Sequence, residues 1–275
     1  MSRLHDRVVA ITGASSGIGR ATAAALAREG AAVAVSARRH DKLDELVHEI
    51  ERAGGRALAV PGDVTIEADM QAFVARAVAA WGRLDVMMCN AGIGYHGTLD
   101  DTPADVMRRL VDVNLMGTMY AAGAALPIFR RQRRGHIIAI SSIAGRRGIG
   151  GMSLYSATKA AQIGFIEGLR AEFVGSDLHA SVIYPVSTTD TEFREAIHRD
   201  YGREITGKGP KQTADDVARL IVECIVTPKA EVYTLAKAKW FAVLGVVAPA
   251  RSDRLAKKFG RRVLAPGEAD GDGSA

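Results

Sequence analysis

A single α/β domain built on a doubly wound parallel sheet is the fold this chain predicts, and three observations carry that expectation. Short apolar runs alternate with longer amphipathic ones from Val8 onward, an order that places helices on both faces of one sheet. The first run, Val8-Val9-Ala10-Ile11-Thr12, is apolar on both faces, as a parallel strand covered on both sides must be. A glycine-rich turn, Thr12-Gly13-Ala14-Ser15-Ser16-Gly17-Ile18-Gly19, then leads into a helix. At 275 residues and 48 % hydrophobic the chain can bury a sizeable core. No linker divides it, so residues 1–235 read as one domain, 236–264 as a basic and apolar extension, and 265–275 as a disordered acidic, glycine-rich tail.

The elements follow in order. A helix from Arg20 to Glu29 is ended by Gly30, and Ala32 to Ser36 is the second strand. The cycle repeats with a helix around Lys42 to Ala53, a strand at Ala57 to Val60, a helix around Glu67 to Trp81 and a strand at Leu84 to Cys89. Thr102 and Pro103 are suited to the N-cap and first turn of a long helix that runs past Asn114 toward Arg131. A strand at His136 to Ile140 ends at Ser141-Ser142, and the helix bearing Tyr155 and Lys159 follows a glycine-rich loop. Ala180 to Tyr184 forms a strand stopped by Pro185. Residues from Thr188 to Gln212 lack clear periodicity and stand where a lid would be. A helix from Thr213 and a strand at Glu231 to Leu235 complete the domain.

Composition excludes several classes. The net charge of +5 is modest and gathers at Arg130-Arg131-Gln132-Arg133-Arg134, at Arg146-Arg147 and between Lys237 and Arg262. A nucleic-acid binder would want a basic stripe with aromatics, and aromatics are 5 % here, so no nucleic-acid partner is expected. Cys89 and Cys224 lie far apart, without metal-ligand spacing; no metal is expected, and the pattern suits a reducing compartment. Met1 to Arg7 runs into a strand without an apolar signal segment, which reads as cytoplasmic.

The chemistry is written in two constellations. In the first, Gly13, Gly17 and Gly19, with Ser15, Ser16 and Ile18 between them, sit between a strand and a helix. There glycine lets the backbone approach a pyrophosphate resting on the helix N-terminus, the pattern of a Rossmann-type fold. After the second strand an acid would bond both ribose hydroxyls; Arg38 and Arg39 stand there instead. A guanidinium can grip a 2′-phosphate, so NADP(H) is the expected cofactor. Asp63 and Val64 are placed for the adenine, and Asn90, Ala91 and Gly92 lie at the carboxyl edge of the sheet. In the second constellation, Tyr155 and Lys159 share one helix face, four positions apart. A lysine ammonium beside a tyrosine, whose ordinary pKa is about 10, favours the phenolate and tunes it as a proton donor or acceptor. Ser142, from another element, can hold a substrate carbonyl oxygen at the tyrosine.

These motifs, in this order over roughly residues 5 to 235, resemble the short-chain dehydrogenase/reductase family. The resemblance implies a seven-stranded parallel sheet, catalytic Ser142, Tyr155 and Lys159, and a fourth catalytic residue, Asn114, which in relatives holds a water linking the lysine to solvent. Tyr155 and Lys159 also count as cofactor contacts, Lys159 through the nicotinamide ribose. Two departures stand out: Cys89-Asn90 replaces a pair of asparagines, and Pro185-Val186 replaces Pro-Gly, leaving Pro185 and Thr188 as the candidates near the nicotinamide carboxamide. The implied activity is NADP(H)-dependent oxidoreduction between a carbonyl and a secondary alcohol of a lipophilic type, steroid, fatty or 3-oxoacyl. The alternative is a non-catalytic NADPH-sensing or scaffold protein of the same fold. A homodimer or homotetramer is implied, paired through the helices of Asn114 and Tyr155.

The substrate pocket is expected between Ile93-Gly94-Tyr95-His96, the loop from Ala144 to Met152 and the lid after Thr188. His96 reads as solvated or as a substrate contact, and Arg146 and Arg147 as surface charge or as receivers of an anionic tail. In the extension, Trp240 to Ala248 is too short to span a bilayer and is flanked by Lys237, Lys239, Arg251, Arg254, Lys257, Lys258, Arg261 and Arg262. It suits packing against the lid or a neighbouring subunit, or peripheral membrane contact through 237–262.

Overall fold

The structure, a computed structural model, describes residues 3–203 and 211–259. In chain order the elements are β1 Val8–Thr12, α1 Gly17–Arg28, β2 Ala32–Ser36, α2 His40–Arg52, β3 Arg56–Ala59, α3 Glu67–Trp81 and β4 Val86–Cys89. Then come α4 Ala104–Val111, a π-helical turn Asp112–Met116, α5 Gly117–Gln132, β5 Arg134–Ile140, α6 Ile143–Arg146, α7 Ser153–Glu172 and β6 Asp177–Tyr184. The chain continues through β7 Ser187–Thr188, α8 Phe193–Tyr201, β8 Lys211–Gln212, α9 Ala214–Val226, β9 Glu231–Tyr233, α10 Ala236–Val247 and α11 Pro249–Phe259.

Seven strands form one parallel sheet in the order β3-β2-β1-β4-β5-β6-β9. Val8 pairs with Ala32 on one side of β1, and Val9 with Val86 on the other. The sequence steps outward in one direction from β1 to β3 and in the opposite direction from β4 on. The crevice between the β1 and β4 carboxyl ends is thus the switch point where ligands bind in such sheets. Period-two alternation splits the core. Val8 and Ala10 pack with residues of α3, α5 and α7 on one face, while Val9 and Ile11 pack with α1, α2 and α9 on the other.

Several expectations are corrected. Pro103 is the N-cap of α4 rather than its first helical residue, and Thr102 Oγ1 bonds back to Thr98 O instead of capping. The expected long helix is continuous but carries the π turn at Asp112–Met116, with Asn114 on it. The lid is not irregular: α8 and the small β7–β8 pair structure its described part, and residues 204–210 lie outside the description. Phe193, Ile197 and Tyr201 recur every four residues, a helical signal obscured by the polar residues between them. The extension folds as two helices, α10 and α11, broken at Ala248 before Pro249, and α10 packs beside α6 and β9. Arg261, Arg262, the rest of 260–264 and the tail 265–275 lie outside the described residues. No described helix is long and apolar enough to cross a membrane.

Candidate active site

The glycine turn is built backbone against backbone. Gly13 (φ +66°) and Gly17 (φ +56°) take the left-handed conformation that a Cβ disfavours. A Cβ on Gly13 would stand 2.7 Å from Ala91 Cα, and one on Gly19 2.5 Å from Gly13 O. Asn90 ties the β4 loop to this turn: its Nδ2 donates to Thr12 O (2.9 Å) and Gly13 O (3.0 Å), and its N–H to Thr12 Oγ1 (3.1 Å). At the N-terminus of α1, Ser16 is an extended N-cap whose side chain makes no capping bond, and the first turn holds no acid. Its first N–H groups are therefore available to an anion, and the residues present fit the diphosphate of a dinucleotide.

Past β2, Arg38 is exposed and Arg39 half-buried. Arg39 Nη2 donates to Ser15 Oγ (3.0 Å) and pairs with Glu192 (2.7 Å), so it joins the glycine turn to the lid. That pairing holds the Glu192 carboxyl below its usual pKa. Asp63 Oδ1 accepts from Thr65 N and Thr65 Oγ1, both at 2.9 Å, which fixes the loop after β3. Val64 lies against Gly117, where a Cβ would be 2.8 Å from Val64 Cγ2.

At the other end, Ser142 caps the short α6, its Oγ accepting from Ala144 N at 3.1 Å. Tyr155 and Lys159 are both buried on α7, with Lys159 Nζ 5.8 Å from the Tyr155 ring centroid. Nζ donates to Ile140 O (2.8 Å) and to Gln162 Oε1 (3.1 Å), and burial pulls the Lys159 pKa down to about 7. Asn114 is fully buried: Oδ1 accepts from Ile93 N (2.8 Å), and Nδ2 donates to Ile93 O (3.0 Å) and Thr158 Oγ1 (3.0 Å).

One cavity of about 500 Å³ gathers these parts. Gly13, Ser15, Ser16, Gly17 and Ile18 line it, as do Arg38 and Arg39, Asp63 and Val64, and Asn90, Ala91 and Gly92. Ser142, Tyr155, Lys159, Pro185 and Thr188 complete the expected set on its wall. Gly19 and Asn114 stand behind the wall, Gly19 pressed on Gly13 and Asn114 bracing Ile93. Sequence reasoning missed Phe193, whose ring lies edge-on to Tyr155 at 5.8 Å, along with Glu192 and Gln162.

Of the four pocket residues expected before α4, only Ile93 and Gly94 reach the cavity. His96 is buried rather than solvated, and Tyr95 packs edge-on against Tyr201. Arg146 pairs with Glu167 (2.8 Å) and Glu231 and covers the Tyr184 ring at 5.2 Å; Arg147 pairs with Asp253 and donates to Pro249 O (3.2 Å). Both arginines are thus committed inside the molecule, neither loose surface charge nor a receiver for an anionic tail. Cys89 and Cys224 are buried free thiols, and burial pushes Cys89 up to about 12. Among the described residues no group of three or more His, Cys, Asp or Glu could hold a metal ion.

A parallel sheet with a glycine turn at its switch point, and a Ser–Tyr–Lys set on the same cavity, place the chain among the α/β oxidoreductases. Residues 7–202 match the short chain dehydrogenase family, and the chain belongs to it. An uncharacterized oxidoreductase of Listeria innocua is 36 % identical over 231 residues, covering 82 % of this chain and 93 % of that protein. A short chain dehydrogenase/reductase from Burkholderia phymatum, solved with NAD, superposes with a TM-score of 0.81 at 25 % identity, covering 98 % of this chain and all 100 % of that one. A short chain dehydrogenase from Burkholderia cenocepacia, solved with NADP, gives a TM-score of 0.74 at 32 % identity, with 84 % and 97 % covered.

Proposed function

We propose that this protein is an NADP(H)-dependent oxidoreductase interconverting a carbonyl and a secondary alcohol, with Ser142, Tyr155 and Lys159 as its catalytic set and Asn114 behind them, bracing Ile93 and, through its carbonyl, Gln162. The observation that carries the reading is the presence of Ser142, Tyr155 and Lys159 on the wall of the cavity that the glycine turn also lines. When bound, the nucleotide supplies or accepts the hydride. Ser142 Oγ holds the substrate oxygen beside Tyr155 Oη, which gives that oxygen a proton in reduction and takes it back in oxidation. A positive Lys159 Nζ stabilises negative charge on the tyrosine oxygen. Two of its three N–H groups are used by Ile140 and Gln162, which leaves one for the ribose.

Arg38 and Arg39 support NADP(H) over NAD(H), because a guanidinium complements a 2′-phosphate where an acid would repel it. Charged hydrogen bonds are worth about 1.5–3 kcal/mol, so Arg38→Ala should weaken NADPH roughly 10- to 100-fold and leave NADH unchanged. Equal affinity of the wild type for the two nucleotides would sink the preference. The apolar wall of Ile149, Met152, Phe193 and Ile197 supports a lipophilic substrate of steroid, fatty or 3-oxoacyl type.

Exposed Trp240, Val243, Val246 and Val247 on α10, bordered by exposed Lys237, Lys239, Arg251 and Arg254, support peripheral contact of a cytoplasmic enzyme with an anionic membrane. Liposome co-sedimentation of the full chain against a truncation before Lys237 tests this, and absence of binding by both removes it. The outward face of α7, with exposed Ala157, Ala160, Gly164 and Gly168, supports self-pairing into a dimer or tetramer; a monomer by light scattering would refute it.

The decisive assay is NADPH consumption at neutral pH over ketones, aldehydes and 3-oxoacyl thioesters, with Tyr155→Phe in parallel. Loss of general acid catalysis should cut turnover by about 10²–10⁴-fold. Tight NADPH binding with no turnover across the panel would favour the nucleotide-sensing reading instead.

A further inference from the structure

Behind Lys159 lies a side chain that the glycine and Ser–Tyr–Lys motifs do not include. Gln162 follows one turn later on α7 and is fully buried, and its amide is bonded at both ends. Oε1 accepts from Lys159 Nζ at 3.1 Å, while Nε2 donates to Asn114 O and to Thr118 Oγ1, each at 2.7 Å. Thr118 Oγ1 in turn donates to the same Asn114 O at 2.8 Å. An ammonium can only donate and a main-chain carbonyl can only accept, so these partners admit one orientation of the amide. Both lone pairs of the Asn114 carbonyl are thereby engaged by protein donors.

We propose that Gln162 is the positioning residue of Lys159, tying its ammonium to the π turn that carries Asn114 so that the remaining N–H stays directed at the cavity. The inference rests on the reading of Lys159 as a catalytic residue. A leucine or methionine could fill the gap between α7 and α5 without any polar atom. A glutamine there matches each donor with an acceptor across three elements, β5, the π turn and α7. Lysine has a long, flexible stem, and a single bond to Ile140 O would leave Nζ free to swing about it. Bonds to both Ile140 O and Gln162 Oε1 hold it from two sides. The titratable group facing Nζ is Tyr155 on its own helix, whereas β5, the π turn and α5 present the neutral Ile140 carbonyl, Asn114 and Thr118. Burial is the cause of the depressed Lys159 pKa, so any acceptor removed or charged at Gln162 acts on Nζ directly.

The test follows Lys159 itself, by NMR of protein labelled at the lysine ε-carbon, with the Lys159 resonance assigned from its absence in Lys159→Met. Gln162→Leu should move the Lys159 titration midpoint to lower pH, because the ammonium loses an acceptor. Gln162→Glu should move it to higher pH, because a carboxylate favours the charge. An unmoved midpoint in a folded Gln162→Leu overturns the proposal; if that variant does not fold, an unmoved midpoint in Gln162→Glu does so. With any carbonyl substrate that the panel turns over, Gln162→Leu should lower kcat about tenfold, and Gln162→Glu should recover part of it. Midpoints that move as expected while Tyr155→Phe leaves turnover intact would overturn the catalytic reading and leave the positioning of Lys159 standing.

Discussion

The two sides of the cavity are held by different kinds of contact. On the nucleotide side, the wall comes from loops that directly follow β1, β2, β3 and β4, and it is held by main-chain geometry: positive φ at Gly13 and Gly17, and the Asn90 amide on Thr12 O and Gly13 O. On the substrate side, Ala144, Ile149, Met152 and Tyr155 form one small apolar cluster that Phe193 joins from the lid. The ion pair of Arg147 with Asp253 braces that side, and the pair of Arg39 with Glu192 ties the lid to the nucleotide wall. Main-chain geometry therefore holds the first side and side-chain packing the second, so substitutions on the two sides should fail in different ways.

The largest contrast should come from Gly13→Ala. The position holds a left-handed backbone that a Cβ disfavours, and that Cβ would overlap Ala91 Cα at 2.7 Å, at a cost of about 1–3 kcal/mol. For a chain of this size, that lowers the thermal midpoint by roughly 2–12 °C. NADPH titration should show binding lost as well; a variant that keeps both would break the claim that the main chain sets the nucleotide side.

Phe193→Ala should act on the substrate side alone. Removing a half-buried ring that lies edge-on to Tyr155 should raise the substrate KM about tenfold, in line with 1–3 kcal/mol for an apolar pocket contact. NADPH affinity should stay within a few-fold. An equal loss of nucleotide affinity would mean that the lid belongs to both sides.

A further difference concerns pH and the wall the two sides share. Burial lowers the Lys159 pKa from 10.5 in the unfolded chain to about 7 in the fold. Between those values the unfolded state binds more protons, so this group makes stability rise with pH over about 7 to 10.5. The contribution is fully present above the unfolded value and is lost as pH falls through about 7. Melting curves of the wild type should show that slope, and Lys159→Met should lack it. Matching slopes would mean that the lysine is not desolvated.

The sheet was legible because its signals are local. Val8 to Thr12 and Ala32 to Ser36 are apolar on both faces, which only a doubly covered strand tolerates, and the glycines between strand and helix announce the turn. Gly13, Arg38, Asp63, Asn90 and Ser142 could be named for the same reason, since each follows a strand end, and Tyr155 and Lys159 through their helical spacing, whereas Asn114 came only with the family resemblance. Boundaries were less legible: Pro103 stops short of α4, and the π turn at Asn114 leaves no mark in a helical period. Phe193, Ile197 and Tyr201 did carry a four-residue repeat, but flanking polar residues concealed it.

By itself, then, the chain determined the parallel sheet, the glycine turn at its switch point and the pairing of Tyr155 with Lys159 on one helix face, because strand and helix periods decide these within a few residues. Only the tertiary structure decided that Arg146 and Arg147 are spent on Glu167, Glu231 and Asp253, and that His96 is buried. It alone brought Glu192 to Arg39 and Gln162 to the Asn114 carbonyl. The physical reason is that a charge or an amide takes whichever partner the packed fold brings within about 3 Å, and sequence spacing does not encode that distance.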